Sequence, residues 1–227
     1  MKIDKLCILD TETGGLDPKT CPTVEIAVCL YDIEHASPIA TFSSLIQSET
    51  NEAELVNNIP VSLLQSCEFS NTSIWNVILD IASKADVVVA HRAEFDIQFV
   101  PKHLQTLKPW ACSKFDMVWP EGNLNRGDHL VHLALAHGVP VYSAHRALAD
   151  VDTLVRTFQA AQAIGYDVRN MVEESLKPKA VFKALVPYER RDEAKRAGFT
   201  WDADKKIWTR RIFLHEADKF AFKVQKL

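Results

Sequence analysis

Two acidic residues, Asp10 and Glu12, end the first apolar stretch of the chain. Residues 5–11 have the composition of a buried strand, and the alternation of side chains along a strand places both carboxylates on the same face. Carboxylates held side by side repel each other unless a cation lies between them. The pair therefore indicates a metal site at the end of a strand, although exposed acidic pairs are also common without a metal.

Two aspartates further along the chain lie on the apolar faces of predicted helices. Asp150 lies beside the apolar stripe of a helix predicted over residues 144–164, whereas Asp152 faces solvent. Asp96 lies in the same way on an earlier predicted helix, and Glu94 points away. Burying an unpaired carboxylate is costly, so both aspartates are expected at one site with the strand-end carboxylates. The alternative is that each acid stabilises the positive N-terminus of its own helix.

His145 precedes Asp150 by five residues, which corresponds to about 140° around a helix. If both side chains face one site, His145 must lie at or before the start of the helix. A histidine there, near carboxylates and a metal, can accept a proton from an attacking water. His129 and His132 also share a predicted helical face, but no Glu or Cys accompanies them at ligand spacing, so we expect structural or surface residues.

The composition places the chain among ordinary globular proteins. Of its 227 residues 47% are hydrophobic, and the mean hydropathy is −0.08. No stretch approaches the roughly 18 to 20 apolar residues that a membrane helix needs, and the first residues do not resemble a signal peptide. The five cysteines form no C-x-x-C pair, which disfavours zinc knuckles and disulfide frameworks. These features predict a cytoplasmic protein without a membrane partner.

Hydrophobic spacing and turn residues predict strands and helices over the first 177 residues. The predicted strands are 5–11, 23–32, 38–47 and 86–90. A helix is predicted to begin near residue 71, and helical spacing continues through Phe95, Phe99 and Val100. Two further helices are predicted over 128–137 and 144–164. Strands first, followed by helices that alternate with strands, are typical of an α/β fold with a mixed sheet flanked by helices.

The last fifty residues differ from the rest in charge. Residues 178–227 carry a net charge of +6 and residues 1–177 a net charge of −10. We therefore predict two domains, 1–177 and 178–227, of which the second is a small basic α+β module. Its predicted elements are a strand over 181–188, a helix over 190–197, a hairpin over 200–211 and a helix over 215–224.

Aromatic and basic residues are interleaved in the predicted module. They are Phe199, Trp201, Lys205, Lys206, Trp208, Arg210 and Arg211. Such interleaving is typical of surfaces that bind single-stranded nucleic acids, where bases stack on rings and phosphates meet cations. The alternative is that the two tryptophans form the core of a very small domain.

Three segments closely resemble the three exonuclease motifs of the DEDDh (DnaQ-like) family. They are DTETGGLDP at 10–18, VAHRAEFD at 89–96 and AHRALAD at 144–150. Three motifs in the right order are specific, and the resemblance covers roughly residues 5–165. It implies a ribonuclease H-like fold and metal-dependent 3′→5′ removal of nucleoside monophosphates, for which two Mg²⁺ or Mn²⁺ ions about 3.5–4 Å apart are suited.

The resemblance also implies roles for individual residues. The metal-binding carboxylates would be Asp10, Glu12, Asp96 and Asp150, and the general base would be His145. The terminal 3′-hydroxyl would be held by Thr13 and the backbone near Gly14, and Leu16 would wedge against the last base.

Two positions depart from the family pattern. Arg92 stands where the second motif usually has Asn, and an arginine can grip a phosphate, so we expect altered substrate contact without loss of catalysis. Residues 57–60 read Asn-Asn-Ile-Pro where family members often have His-Gly-Ile before the first amphipathic helix. The usual substrate contact of that segment is therefore not carried over to this chain.

The sequence thus predicts a stand-alone 3′→5′ exonuclease that acts on DNA 3′ ends, prefers single strands and serves DNA repair. An enzyme that trims RNA is the nearest alternative, because nothing in the sequence reads the 2′-hydroxyl. A proofreading subunit is a weaker alternative, because the basic tail does not resemble a polymerase-docking segment. A catalytically silent nucleic-acid-binding module is the alternative from a different class, and the filled catalytic positions of all three motifs argue against it.

Overall fold

The computed structural model of the protein describes residues 2–120, 129–142 and 146–227. The chain divides into two compact units, Met1–Leu176 and Lys177–Leu227. His145 and the predicted helix start at Asp128 lie outside the described residues. Within the described ranges no helix is both long enough and apolar enough to span a membrane.

The first unit is built on a five-stranded mixed sheet. Its strands are β1 (Lys5–Thr13), β2 (Thr23–Asp32), β3 (Ser37–Leu45), β4 (Val87–Ala90) and β5 (Trp110–Cys112). They lie in the order β3-β2-β1-β4-β5. β2 is antiparallel to both β1 and β3, whereas β4 is parallel to β1 and β5 is parallel to β4. The predicted mixed α/β sheet is confirmed.

Helices cover both faces of this sheet. They are α1 (Glu54–Asn57), α2 (Val61–Gln65), α3 (Asn71–Ser83), α4 (Ala93–Phe99), α5 (Lys102–Gln105), α6 (Leu130–Ala136), α7 (Ala147–Ala163) and α8 (Val168–Ser175). α3 packs on one face together with Leu9 and Val28, and α7 packs on the other with Ile8. The hydrophobic patterns of the sequence do not predict α1, α2, α5, α8 or β5.

The apolar stripe of α7 sets the rotation of that helix on the sheet. Ala147, Val151, Leu154 and Phe158 follow one another at spacings of three and four residues, and all are buried. Burying this stripe leaves Asp152 exposed on the opposite face, where it forms an ion pair with Arg156 at 2.6 Å. The same rotation turns the first helical turn towards the end of β1.

The second unit is a small sheet with a short helix. Its elements are β6 (Lys179–Ala184), α9 (Arg191–Arg196), β7 (Thr200–Asp202), β8 (Ile207–Phe213) and β9 (Val224–Lys226). The strand order is β7-β8-β6-β9, and each neighbouring pair is antiparallel. Its buried side chains come from β6, α9, the residue before β7 and the end of β8: Phe182, Ala194, Phe199, Ile212 and Phe213.

The helix predicted over residues 215–224 is wrong. Leu214–Lys219 forms a 3₁₀-helix, and the backbone of Phe220 is then extended, with φ −79° and ψ 147°. The rings of Phe220 and Phe222 both contact Phe199, at centroid distances of 5.4 and 5.6 Å. An apolar residue at every second position is the period of a strand, and the segment accordingly leads into β9.

The strand predicted over residues 181–188 is also too long. β6 ends at Ala184, and Pro187 begins a 3₁₀-turn over Tyr188–Arg190. The fixed φ of proline and its missing N–H do not support a continued strand.

Candidate active site

The carboxylates of Asp10, Glu12 and Asp150 come together at the end of β1. The strand extends to Thr13, and alternation places the first two acids on the face covered by α7. Asp150 lies in the first turn of α7. One oxygen atom from each residue lies within 4.8 Å of those of the other two, and all three residues are partly buried. The structure therefore brings together three of the four acids that the motifs indicate.

Asp96, the fourth acid, is fixed against the same strand end. Its Oδ1 accepts hydrogen bonds from the backbone N–H and the hydroxyl of Thr11, at 3.2 and 2.9 Å. Thr11 lies between Asp10 and Glu12, so these bonds hold the carboxylate of α4 next to the other acids. Asp96 is buried, whereas Glu94 on the same helix is exposed.

Burial and crowding raise the pKa values of these acids. Burial, followed by the charges of Asp96 and Asp150, raises the pKa of Asp10 well above its ordinary value. Burial and then the charge of Asp150 raise the pKa of Glu12 to about 7. Burial raises the pKa of Asp96 to about 6, although hydrogen bonds from Thr11 oppose this. An all-oxygen donor set whose members resist carrying negative charge together fits a hard divalent cation, which would relieve the repulsion.

An ion pair that the sequence analysis did not identify fixes the start of α7. Glu25 lies on β2 directly opposite Glu12 and is only 3% exposed. Its Oε1 accepts a hydrogen bond from Nη2 of Arg146 at 2.8 Å, and its Oε2 accepts one from Nε at 3.0 Å. Oε2 also accepts the backbone N–H of Ala147 at 3.0 Å, one of the helix N–H groups that lack a partner within α7. Glu25 thereby holds the turn that carries Asp150.

The loop that follows β1 is supported by buried asparagines. The hydroxyl of Thr13 donates a hydrogen bond to the carbonyl of Gly15 at 2.7 Å. The amide of Asn57 donates to the carbonyl of Thr13 at 3.3 Å and exchanges two hydrogen bonds with the amide of Asn51. Residues 57–60, where the family pattern is absent, therefore support this loop through buried polar contacts.

The candidate substrate contacts differ in accessibility. Leu16 is 81% exposed, and Arg92 is exposed with its guanidinium over the ring of Phe95 at 5.2 Å. The N–H of Gly14 donates to the carbonyl of Pro22 at 2.8 Å. Leu16 and Arg92 are thus open to a ligand, whereas the N–H of Gly14 is engaged within the loop.

The remaining histidine and cysteine candidates show no ligand geometry. His129 and His132 are exposed, with ring centroids 5.9 Å apart. Cys112 is buried, and burial raises the pKa of its thiol. Among the described residues no other group of three His, Cys, Asp or Glu side chains meets at the spacing of metal ligands.

The raised pKa values predict that the metal-free protein loses stability as the pH rises. Asp10, Glu12 and Asp96 bind protons more tightly folded than unfolded, so their stabilising contribution is complete below about pH 4 and is lost towards pH 7. The melting temperature measured in chelator should fall over this range, and Glu12→Gln should weaken that fall.

A divalent cation should reverse this loss near pH 7.5. At a concentration about 100 times its Kd, a bound ion contributes about 2.7 kcal/mol, which raises the melting temperature of a chain of this size by about 5–10 °C. Asp10→Asn should remove most of the shift. Equal stabilisation of this variant and the wild type would show that the ion binds elsewhere.

Comparison with known proteins supports this interpretation of the first unit. DNA polymerase III subunit epsilon of Treponema pallidum (strain Nichols) is 29% identical over an alignment of 163 positions, which covers 66% of this chain and 72% of that protein. This chain is similar to a DnaQ-like protein. The resemblance of its three motifs to the DEDDh exonucleases is thereby confirmed.

Solved structures share the fold of the first unit. Exonuclease X in complex with 5′-overhanging duplex DNA aligns with a TM-score of 0.56 and 20% identity, over 75% of this chain and 99% of that one. This enzyme, exodeoxyribonuclease X, is a DEDDh-type exonuclease of the kind that the three motifs predict as a relative. A 3′-exonuclease that recognises a histone mRNA stem-loop aligns with a TM-score of 0.58 and 14% identity, over 79% and 87% of the two chains.

A longer DEDDh-type enzyme shows the same fold. The zinc-bound complex of E. coli exonuclease I with single-stranded DNA aligns with a TM-score of 0.56 and 15% identity, over 72% of this chain. This chain spans only 41% of the length of that structure. These alignments confirm the ribonuclease H-like fold of the first unit.

The second unit matches a family of a different kind. Residues 180–227 match a family described as a domain of unknown function (DUF8626). The comparison therefore gives this part of the chain no activity and no ligand.

Proposed function

We propose that the protein is a metal-dependent 3′→5′ exonuclease that releases nucleoside 5′-monophosphates from DNA 3′ ends and prefers single strands. The observation that carries the proposal is the meeting of Asp10, Glu12 and Asp150, whose carboxylate oxygens lie within 4.8 Å of one another. The likeness to DNA polymerase III subunit epsilon and to three exonuclease structures gives independent support.

The acidic group would hold two Mg²⁺ or Mn²⁺ ions. The proposed ligands are Asp10, Glu12, Asp96 and Asp150. Bound there, the ions supply positive charge that activates a water and stabilises the leaving 3′ oxygen. Thr11 holds one oxygen of Asp96, so the other oxygen would be the ligand.

His145 is proposed as the general base that takes the proton from the attacking water. Arg146 is the residue that follows His145 in the sequence. Glu25 holds Arg146 and the first turn of α7.

The 3′-terminal nucleotide would contact the loop after β1. The residues proposed for this role are Thr13, Gly14, Leu16 and Arg92. Leu16 is open to stack against a base, and Arg92 can reach a phosphate from the start of α4. The N–H of Gly14 would reach a 3′-hydroxyl only if its bond to the loop opened.

RNA is the second candidate substrate. The 3′-exonuclease whose structure concerns recognition of a histone mRNA stem-loop shares the fold with a TM-score of 0.58. The carboxylates of Asp10, Glu12 and Asp150 would act on the phosphodiester through metal ions, and none of the described residues placed at the site reads the 2′-hydroxyl that distinguishes RNA from DNA.

One assay tests the proposed activity and its polarity. Single- and double-stranded DNA and single-stranded RNA, each labelled at the 5′ end, are incubated with the full chain in chelator, Mg²⁺ or Mn²⁺. The proposal predicts no cleavage in chelator and a ladder shortened from the 3′ end with either ion, fastest on single-stranded DNA. Equal cleavage in chelator would contradict the proposed chemistry, and release of the 5′ label as a mononucleotide in the first turnover would contradict the polarity.

A further inference from the structure

The sheet of the second unit presents one face that combines aromatic side chains with a cavity. Paired residues of antiparallel strands share a face, and alternate residues of one strand do as well. The pairings Trp201–Trp208, Phe182–Arg210 and Ala184–Val224 therefore place six side chains on one side of the sheet. We call this side the aromatic face; its members are Trp201, Trp208, Arg210, Phe182, Ala184 and Val224.

The middle of the aromatic face is covered by the unit's own core. Phe199 is buried there, together with Phe182. The guanidinium of Arg210 donates a hydrogen bond to the carbonyl of Ala197 and lies over the ring of Phe220 at 5.9 Å. Arg210 is therefore a structural residue. Unlike Lys205 and Lys206, with which it is grouped in the sequence, it is not a candidate for phosphate contact.

One end of the aromatic face remains open. Trp201 is 47% exposed, and its ring lies 5.5 Å from that of Trp208 across the β7–β8 hairpin. The pairing of β6 with β8 ends at Lys183 and Thr209, and one further step brings Ala184 opposite Trp208. These residues form the row Trp201–Trp208–Ala184–Val224. The small side chain of Ala184 leaves no bulky residue between Trp208 and Val224. The two tryptophans are thus outside the buried core, which argues against the alternative that they form the core of a very small domain.

A cavity adjoins this row at its β9 end. It has a volume of about 940 Å³, and its walls include Phe182, Leu185, Phe222 and Val224. The rings of Phe220 and Phe222 are stacked, with centroids 5.7 Å apart and planes 27° apart. Row and cavity together span four strands, which is about 15 Å at the usual strand spacing.

Cations lie at both ends of this open strip. Lys205 and Lys206 are exposed in the hairpin turn next to Trp201. Arg190 and Lys223 border the cavity, together with the acid Asp218. Lys205 is bonded to Asp202, and Arg190 forms a bidentate pair with Glu193, so Lys206 and Lys223 are the stronger candidates for phosphate contact.

We infer that this open strip binds single-stranded nucleic acid, with bases stacking on Trp201 and Trp208 and entering the cavity beside Phe222. Lys206 and Lys223 contact the phosphates. Half-exposed rings flanked by cations suit this ligand, because every base has a face that can stack and every linkage carries a charge. The net charge of +6 on residues 178–227 against −10 on the rest makes this module the part of the chain to which a polyanion is drawn.

The inference takes its ligand class from the proposed function, but binding can be measured without hydrolysis. The full chain in chelator is titrated into fluorescein-labelled oligothymidylate or oligouridylate of about 20 nucleotides, and anisotropy gives the Kd. Trp201→Ala should raise the Kd about 5- to 30-fold through loss of one stacked base. Trp201→Phe, which keeps a ring, should recover most of the affinity.

Charge reversal tests the same surface without removing a packed side chain. Lys206→Glu combined with Lys223→Glu should weaken binding and reduce the slope of log affinity against log salt by about 1.4, the value for two phosphates on a single strand. Two variants are matched controls: Lys183→Glu lies on the opposite sheet face, and Tyr188→Ala removes a 74% exposed ring outside the strip. Both should bind like the wild type.

Two results would overturn the inference. One is a Kd for Trp201→Ala and for the double charge reversal within twofold of the wild type. The other is a loss of affinity in Lys183→Glu as large as that in the double charge reversal. Binding would then depend on the net charge of the module and not on one face of its sheet. An inactive protein that still binds oligonucleotides through Trp201 would contradict the proposed exonuclease function and leave this inference standing. Comparison of the two oligomers shows whether DNA or RNA is preferred.

Discussion

Asp150→Asn should lower the rate of phosphodiester hydrolysis by at least about 10³-fold, because it removes a charged ligand from a group that acts as a unit. Asp10→Asn should do the same. Initial rates on a short oligonucleotide in saturating Mg²⁺ measure the effect. The matched control is Asp152→Asn on the exposed face of the same helix, whose ion pair with Arg156 lies at the surface and contributes little. Its rate should remain close to that of the wild type.

The stability of these variants separates a lost ligand from a damaged fold. Asp10 and Asp150 repel each other in the absence of metal, so removing either charge should raise the melting temperature measured in chelator above that of the wild type near pH 7.5. An inactive Asp150→Asn protein that melts well below the wild type would be a folding defect. Unchanged activity of a stable variant would exclude Asp150 from the site.

His145→Ala should lower turnover by about 10² to 10⁴-fold, the usual effect of removing a general base. Metal binding should survive, because the proposed ligands are all carboxylates. The rate in saturating Mg²⁺ and the melting shift caused by Mg²⁺ are measured on the same preparation. His132→Ala, which removes an exposed histidine of α6, is the control and should affect neither quantity.

The pattern of loss identifies the role of His145. If His145 is the base and not a metal ligand, the variant is a slow enzyme whose melting temperature rises with Mg²⁺ as much as that of the wild type. A variant that loses the Mg²⁺ shift as completely as Asp10→Asn would instead make His145 a metal ligand. An unchanged rate would show that another group accepts the proton.

Local spacing was sufficient to predict the acidic group. The alternation along β1 placed Asp10 and Glu12 on one face, and the helical stripe of α7 placed Asp150 on its border. Both arguments use neighbours within a few residues, where the periods of strand and helix are fixed. The bounds of β2, Thr23–Asp32, were predicted for the same reason, since nearly every residue of that segment is apolar and buried.

The role of Glu25 was not predicted, because its partner is distant in sequence. It is the only charged residue in the apolar run 23–31, and that isolation was the available signal. The reason for an acid in a buried strand appears only when Arg146 is brought beside it, 121 positions later. A buried ion pair of this kind depends on tertiary geometry, which no local pattern contains.

Residues 215–224 were mispredicted because short apolar segments fit either period. Phe220, Phe222 and Val224 alternate as in a strand, but the preceding residues Leu214–Lys219 also form helical turns. The contacts of both phenylalanines with Phe199 decide between the two, and those contacts require the rest of the sheet.

The tie between Glu25 and Arg146 has a consequence for how the protein is made. The carboxylates that meet at the end of β1 come from both ends of the first unit, and the clamp that orients α7 joins segments 121 residues apart. Contacts of such long range are slow to form, because closing the intervening loop costs entropy. A chain emerging from the ribosome carries Asp10 and Glu12 long before it carries Asp150. Synthesis itself therefore withholds the complete set of carboxylates until the first unit is nearly finished.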